Sequence, residues 1–355
     1  VNATVTAGNV TYTTETRAIT LNNPPTHSQP RITFSDDPRN HSVANITGYP
    51  VNADDINDDP ISFTYDWREN GASIATLNYG FNANTSFGTV LDASTNDYDA
   101  IPGTGSNRPS WTSNGVRGGA YEFDGNNDYL AIEGLNYNSS GSISSMTACS
   151  WVKTSNGGKS IVSYDRDEYF ELESNSNSLE FYTTSTSGTT DRVASDASVT
   201  DGSWHHVCAV YDPSDTADKR LYVDGELDKA KDTYSKGTSL GTGASRYGFV
   251  GAQSEASTFN GTRQGHFNGR LDEVTLYERS LSDEQIRQLY REGNRSLNGN
   301  RMNQTKLVTA ETSGFDDYSV AIRPSDGITD GTLKASERHV AYEDLTRPVT
   351  QTPLT

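Results

Sequence analysis

Thirteen residues, Gly118 to Leu130, read GGAYEFDGNNDYL and limit the fold more than any other stretch. Tyr121 and Phe123 alternate with Glu122, the period of two expected of a strand with one buried face. Asp124-Gly125 then turns the chain, because glycine accepts a positive φ without steric cost. A second strand follows, so the stretch carries a hairpin signal. A chain built on such units is all-β.

Further segments raise this signal to a resemblance. Ser150-Trp151-Val152 comes next, then Gly202-Ser203-Trp204-His205-His206-Val207 and Leu221-Tyr222-Val223-Asp224-Gly225. Phe267-Asn268-Gly269-Arg270-Leu271-Asp272-Glu273-Val274 and Leu281-Ser282-Asp283-Glu284-Gln285-Ile286 complete the series. In that order they resemble the LamG-like, concanavalin A-like jelly roll of laminin G modules, pentraxins and many microbial surface proteins. The resemblance covers Ile74 to Gly293. It implies a fold more than a function, because this fold serves lectins, adhesins, enzymes and spacers.

Pentraxins join two corresponding strands by a disulfide. The resemblance therefore implies a bridge between Cys149 in MTACSWV and Cys208 in WHHVCAV, 59 residues apart. Closing a loop of that length stabilises a fold by about 4 kcal/mol in the chain-entropy picture. The alternative is two buried thiols acting as small apolar residues. A disulfide implies a place outside a reducing cytosol.

The chain has 355 residues, enough for two or three domains. Only 32% are hydrophobic and the mean hydropathy is −0.70, yet aromatic residues reach 10%. Aromatics bury much area per residue, which suits thin β-sandwiches with polar outer faces. The net charge is −19, and no basic stripe exists to neutralise phosphates, so nucleic acid is excluded as a partner. The acidic surface, with no Lys before Lys153, suits a saline environment or divalent cations, or simply keeps the protein soluble. No apolar stretch is long enough to span a membrane, and no signal peptide is recognisable. Starting at Val1, the chain reads as a mature or excised extracellular product. Sequons at Asn2, Asn9, Asn40, Asn45, Asn84, Asn138, Asn260, Asn294 and Asn303 permit glycosylation.

Five segments follow from the chain in order. Residues 1–23 alternate as in Val10-Thr11-Tyr12-Thr13 and Ala18-Ile19-Thr20-Leu21. They are too few for a domain, so they complete something else, in this chain or a neighbour. Residues 24–73 resemble the front half of an Ig-like module of the PKD and cadherin-like kind. An Asp-rich turn, Asp54 to Asp59, leads there into a strand carrying Tyr65-Asp66-Trp67, and Asn70-Gly71 makes the next turn. The jelly roll, residues 74–299, interrupts that module. Residues 300–342 supply closing strands around Lys306-Leu307-Val308, Asp317 to Gly327, Gly331-Thr332 and Arg338 to Tyr342. Neither half has enough strands for its own core, so the jelly roll reads as an insertion into an Ig-like sandwich. Residues 343–355 hold Pro348 and Pro353 and read as a linker.

One helix is expected, Ser282 to Glu292. Ser282 and Gln285 form a capping box, Ile286, Leu289 and Tyr290 line one face, and Gly293 marks the stop.

Three kinds of site suggest themselves. The pentraxin resemblance implies calcium ligands at Asp167 and Glu168 on one loop and Gln253 and Glu255 on another, since hard oxygens suit that ion. Asp124, Asn127 and Asp128 form a second candidate and Asp54 to Asp59 a third, although both sets also suit turns. A glycan would stack beside these loops on Tyr164 or Tyr169, with Arg166 as a polar partner. Trp111, Trp151 and Trp204 are expected in core strands instead. Catalysis finds little support. Glycosidases of this fold carry a Glu-x-Asp-x-Glu run, and Glu171-Leu172-Glu173 lacks the central Asp. His205 and His206 point to opposite faces of a strand, and no nucleophile elbow is present. The chain reads as a non-catalytic surface protein that binds a glycan or a surface protein. The second reading is a filament or surface-layer subunit whose N-terminal strands pair with an identical neighbour.

Overall fold

The computed structural model describes residues 4–7, 10–13, 21–36, 39–85, 88–157, 159–232, 239–297 and 304–343. These form antiparallel sheets and one α-helix. The largest unit is a two-layer sandwich. One layer has eight strands, in the order Glu226–Lys231, Lys219–Val223, Trp204–Tyr211, Met146–Lys153, Asn268–Tyr277, Ala120–Asp124 and Ser110–Thr112, with Leu77–Tyr79 also on Asn268–Tyr277. The other has seven: Thr190–Ser198, Ser178–Thr184, Phe170–Asn175, Lys159–Ser163, Arg246–Val250, Leu130–Tyr137 and Ala100–Pro102. Alternate residues meet between the layers in one aromatic-rich core that includes Tyr121, Phe123, Tyr164, Tyr169, Phe170, Leu172 and Phe181.

The Gly118–Leu130 stretch is not a hairpin. Ala120–Asp124 pairs within the eight-stranded layer, whereas Leu130–Tyr137 pairs within the seven-stranded one. The turn between them is an arch that crosses the core. Its acids serve its own backbone: Asp124 Oδ1 accepts from the N–H of Asn126 at 2.8 Å and of Asn127 at 3.3 Å, and Asp128 Oδ2 from that of Asp124 at 2.9 Å. A two-residue turn would have laid the second strand beside the first. This longer loop lets it change layer.

Cys149 and Cys208 stand opposite each other on adjacent strands and are joined by a disulfide. The helix spans Asp283–Leu297. Its capping box is present: Ser282 N–H donates to Gln285 Oε1 at 2.5 Å, and Gln285 N–H to Ser282 Oγ at 3.3 Å. Gly293 lies inside the helix and does not end it. A Cβ there would run into the Trp151 indole, so this glycine permits close packing rather than a stop. Trp151 itself lies under the helix, stacked on Tyr290 with ring centroids 5.7 Å apart. Trp111 and Trp204 lie in strands of the same layer, as expected, but at its margins and only half-buried, with Trp111 packed against the core.

The segments before and after the large sandwich pair with each other. Ser62–Glu69 runs antiparallel to Asp317–Ser325 without a break in register, from Tyr318 opposite Glu69 to Ser325 opposite Ser62. Thr305–Leu307 joins Ile46–Asp54, which joins Thr26–Phe34. Ile46, Phe63, Leu307, Val320 and Ile322 share one buried core. At the N-terminal side, Thr4–Ala7 pairs with Val10–Thr13 in a separate two-stranded sheet, and the Ala18–Thr20 part of the expected strand lies outside the described residues.

A buried charge cluster clasps the two sandwiches. The Arg117 guanidinium sits 3.0 Å from Glu292 on the helix and 3.9 Å from Glu273, and 5.7 Å from the Tyr65 ring centroid of the small sandwich. Glu292 also accepts from Thr305 Oγ1 at 2.9 Å and from the Lys306 N–H at 2.6 Å. Glu273 holds a positive φ of 49°, where Asn268–Tyr277 bulges against Met146–Lys153. Glu273, Glu292 and Glu311 line one small cavity here, and burial pushes the Glu273 and Glu311 carboxyls each up to about 7.

Candidate functional site

The outer face of the seven-stranded layer carries the most concentrated polar chemistry. Phe170, Leu172, Phe181 and Val193 point into the core, so their neighbours point out. Strand register then lays two rows across the sheet. One runs Ser163, Glu171, Tyr182, Arg192, and the next Ser160, Glu173, Glu180.

Half of this face is roofed. Gln253–Ser254 pairs with Arg263–Gln264, and this small hairpin is tied down by Ser254 N–H donating to Ser163 Oγ at 3.1 Å and Ser160 N–H to the Gly265 carbonyl at 3.1 Å. Beneath the roof Glu171 is wholly buried. Among the described residues, neither of its oxygens nor Ser160 Oγ has a hydrogen-bond partner of good geometry. Burial, reinforced by the charge of Glu173, raises the Glu171 carboxyl to about 8, so the protonated form is favoured at neutral pH.

Beyond the roof the face opens. Tyr182 is half-buried, with the Arg166 guanidinium 5.2 Å and that of Arg192 6.0 Å from its ring centroid. Its hydroxyl donates to Glu180 Oε2 at 2.8 Å, while Arg192 Nη1 meets Glu180 Oε1 at 2.5 Å. Burial, then that bond to a carboxylate, pushes the phenol to about 12. The charge of Arg192 is thus balanced by Glu180, whereas Arg166 makes no ion pair among the described residues. An aromatic ring with two guanidiniums near it and carboxylates alongside brings an apolar surface, donors and acceptors together on one open face.

The residues expected at the glycan site divide. Arg166 is on this face. Tyr164 and Tyr169 are fully buried in the core, where Tyr169 donates to the Ala244 carbonyl at 2.9 Å, so neither ring can meet a ligand. Tyr182 was missed, because its strand alternation leaves open which face is covered.

The expected calcium ligands are dispersed among protein partners. Asp167 is exposed. Glu168 takes Arg246 at 3.2 Å and the Thr242 hydroxyl, and the same arginine meets Asp165 at 2.5 Å. Gln253 is built into the roof, and Glu255 accepts from the Gln264 amide. In the Asp54–Asp59 turn, Asp55 Oδ1 accepts from the N–H of Asn57 at 2.8 Å and of Asp59 at 3.3 Å. Among the described residues, the group of His, Cys, Asp or Glu side chains whose ligand atoms converge is Cys149, His206 and Cys208, two of them disulfide-bonded. His205 and His206 do face opposite ways: His205 bonds Asp224 at 2.9 Å and Asp201 at 3.1 Å, while burial beneath the helix lowers His206 to about 4. Of the sequons, Asn2, Asn9 and Asn303 lie outside the described residues. Asn84 and Asn260 are exposed, and Asn40, Asn45, Asn138 and Asn294 are half-buried.

The family model described as the concanavalin A-like lectin/glucanases superfamily matches residues 124–287, which hold the roof, the open face and the helix start. No curated protein matches this chain. Among solved structures, the chain is similar to the receptor binding domain of botulinum neurotoxin D at 15% identity and a TM-score of 0.45, covering 61% of this chain and 52% of that one. The binding domain of Paraclostridial Mosquitocidal Protein 1 gives 14% identity and a TM-score of 0.44, covering 60% and 52%. The chain thus spans about half the length of these structures. No described helix is long and apolar enough to cross a membrane.

Proposed function

We propose that this protein is a non-catalytic, extracellular glycan-binding module, with the jelly roll inserted into and displayed on an Ig-like stalk. The observation that carries the reading is the half-buried Tyr182 ring on the open face, with the Arg166 and Arg192 guanidiniums near it. Sugar C–H faces pack on such a ring, and Arg166 is left to donate to hydroxyls or a carboxylate. Catalysis is disfavoured because Glu171 is sealed beneath the roof, where no substrate reaches it. The N-terminal strands pair with each other in cis, which favours this reading over strand exchange with a neighbour. The disulfide fits the extracellular location.

A glycan array followed by calorimetry tests the proposal. Tyr182→Ala and Arg166→Ala should each weaken binding of the best array ligand about tenfold or more, the worth of one good stacking or charge-assisted contact. Full affinity in both variants would move the site elsewhere.

A further inference from the structure

We infer that Cys149, Cys208 and His206 form a zinc site in the reduced chain, and that the disulfide is the oxidised state of that site. All three side chains are buried, at 2%, 0% and 3% exposure. Their ligand atoms lie within 4.8 Å of one another. Strand geometry puts them there. Cys149 stands opposite Cys208 and Trp151 opposite His206, and residues two apart on a strand share a face. The His206 ring therefore lies beside the Cys208 sulfur, with Nε2 at 3.8 Å and Nδ1 at 4.0 Å.

The His206 ring lacks the partners a buried imidazole normally has. Among the described residues neither of its nitrogens bonds an oxygen or another nitrogen, and its polar neighbour is sulfur. His205, one residue earlier, shows the ordinary arrangement, with Asp224 at 2.9 Å and Asp201 at 3.1 Å. A buried polar ring without such partners forgoes hydrogen bonds it had in water. Trp151 and Tyr290 pack around it, with ring centroids 5.3 Å and 6.2 Å away, but packing does not call for ring nitrogens.

Zinc accounts for all three groups. Bonds of about 2.3 Å to sulfur and about 2.0–2.1 Å to nitrogen set a tetrahedral N···S edge of about 3.6 Å, close to the separation of His206 Nε2 and Cys208 Sγ. Burial lowers His206 to about 4, so the ring is neutral at ordinary pH, the form that ligates. Two thiolates and a neutral imidazole on a dication carry no net charge. Such a centre suits the apolar surroundings of the two sulfurs, where Val210, Leu281 and Ile286 share their cluster. The fourth position falls to water, which the small cavity lined by His206 and Gln288 can supply. The two states interconvert in balance. A thiol reductant gives the disulfide two electrons and two protons, the S–S bond breaks, and the reductant becomes a disulfide itself. Zinc then displaces the two thiol protons. A disulfide oxidant runs both steps backwards and expels the metal, so outside a reducing compartment the bridge is the resting form.

The test compares the intact chain with its bridge closed and after reduction by a phosphine. The phosphine takes an oxygen from water and, unlike a thiol, offers the metal no competing sulfur. The reduced chain should take up one Co2+ with the strong visible absorption of a tetrahedral thiolate site, and zinc should displace it. Zinc should also raise the melting temperature of the reduced chain and leave that of the oxidised chain unchanged. His206→Phe keeps a packed ring and should weaken zinc at least tenfold, while Cys149→Ser/Cys208→Ser should abolish uptake. If the phenylalanine variant misfolds, nitrogen NMR of the reduced intact chain reads the same ligand, as a shift of one His206 ring nitrogen at one equivalent of zinc. A reduced chain that binds no stoichiometric metal, equal uptake by the oxidised chain, or full affinity in His206→Phe would overturn the inference. So would an unshifted His206 ring, or a reduced chain that unfolds and that zinc does not restore.

Discussion

The larger sandwich closes its core from one continuous run, Leu77 to Leu276, whereas the smaller takes Ile46 and Phe63 from before that run and Leu307 and Val320 from after it. The larger hides its rings. Tyr79, Tyr164, Tyr169, Tyr211 and Tyr222 are all fully buried. The smaller leaves apolar side chains at both ends in water and leans on the Arg117 clasp for its seat. The difference teaches that one unit closes its own core, while the other depends on the unit that interrupts it.

The sharpest way to break this contrast is to hollow the larger core. Phe181→Ala should cost about 3–5 kcal/mol, read as a fall in the urea midpoint. The small sandwich should come apart in the same transition, since its two halves are held near each other by the intact jelly roll. A small sandwich that outlives the large one would reverse the dependence.

Arg117→Met comes next, at about 3 kcal/mol, because it leaves Glu273 and Glu292 buried without their cation. Hydrogen exchange should then quicken in Ser62–Glu69 and Asp317–Ser325 while Phe170–Asn175 stays protected. Equal quickening in both places would mean that the two sandwiches open as one unit.

Removing the disulfide with Cys149→Ser/Cys208→Ser should cost about 2–4 kcal/mol, all within the larger unit. Thermal melts of the oxidised protein and the variant give the comparison.

The smallest effect is confined to pH. Glu171 holds its proton up to about 8 when folded, whereas an unfolded carboxyl ionises near its ordinary value. The folded state therefore binds the extra proton, and stability falls as pH rises through about 8. From about pH 7 to about pH 9 the loss is about 1–1.5 kcal/mol by linkage. Glu171→Gln should flatten that slope in melts taken across the range, and an unchanged slope would assign it to other groups such as Glu273.

Much of this architecture was legible in the residues. Alternation at Tyr121 to Phe123, the capping box at Ser282 and Gln285, and the resemblance that paired Cys149 with Cys208 all depend on near neighbours or on motif order. What was not legible depends on layers. Asp124-Gly125 announces a turn but not whether the next strand returns or crosses. Gly293 announces a helix stop until Trp151 is placed against it. Tyr164, Tyr169 and Tyr182 look alike in sequence, and only the register with Glu171 and Arg192 tells which ring faces outward. Arg246, which takes up the acids at Asp165 and Glu168, lies far along the chain and gives no local sign of doing so.

The interrupted pairing of the small sandwich also fixes where a mechanical load would travel. A pull applied between Thr26 and Val340 enters and leaves through its strands, while the jelly roll hangs from a loop that both leaves and rejoins that same sandwich. Tension along that path would bypass the outer face of the seven-stranded layer altogether. The face would keep its shape under drag until Ser62–Glu69 sheared from Asp317–Ser325, and only then would the jelly roll feel the force.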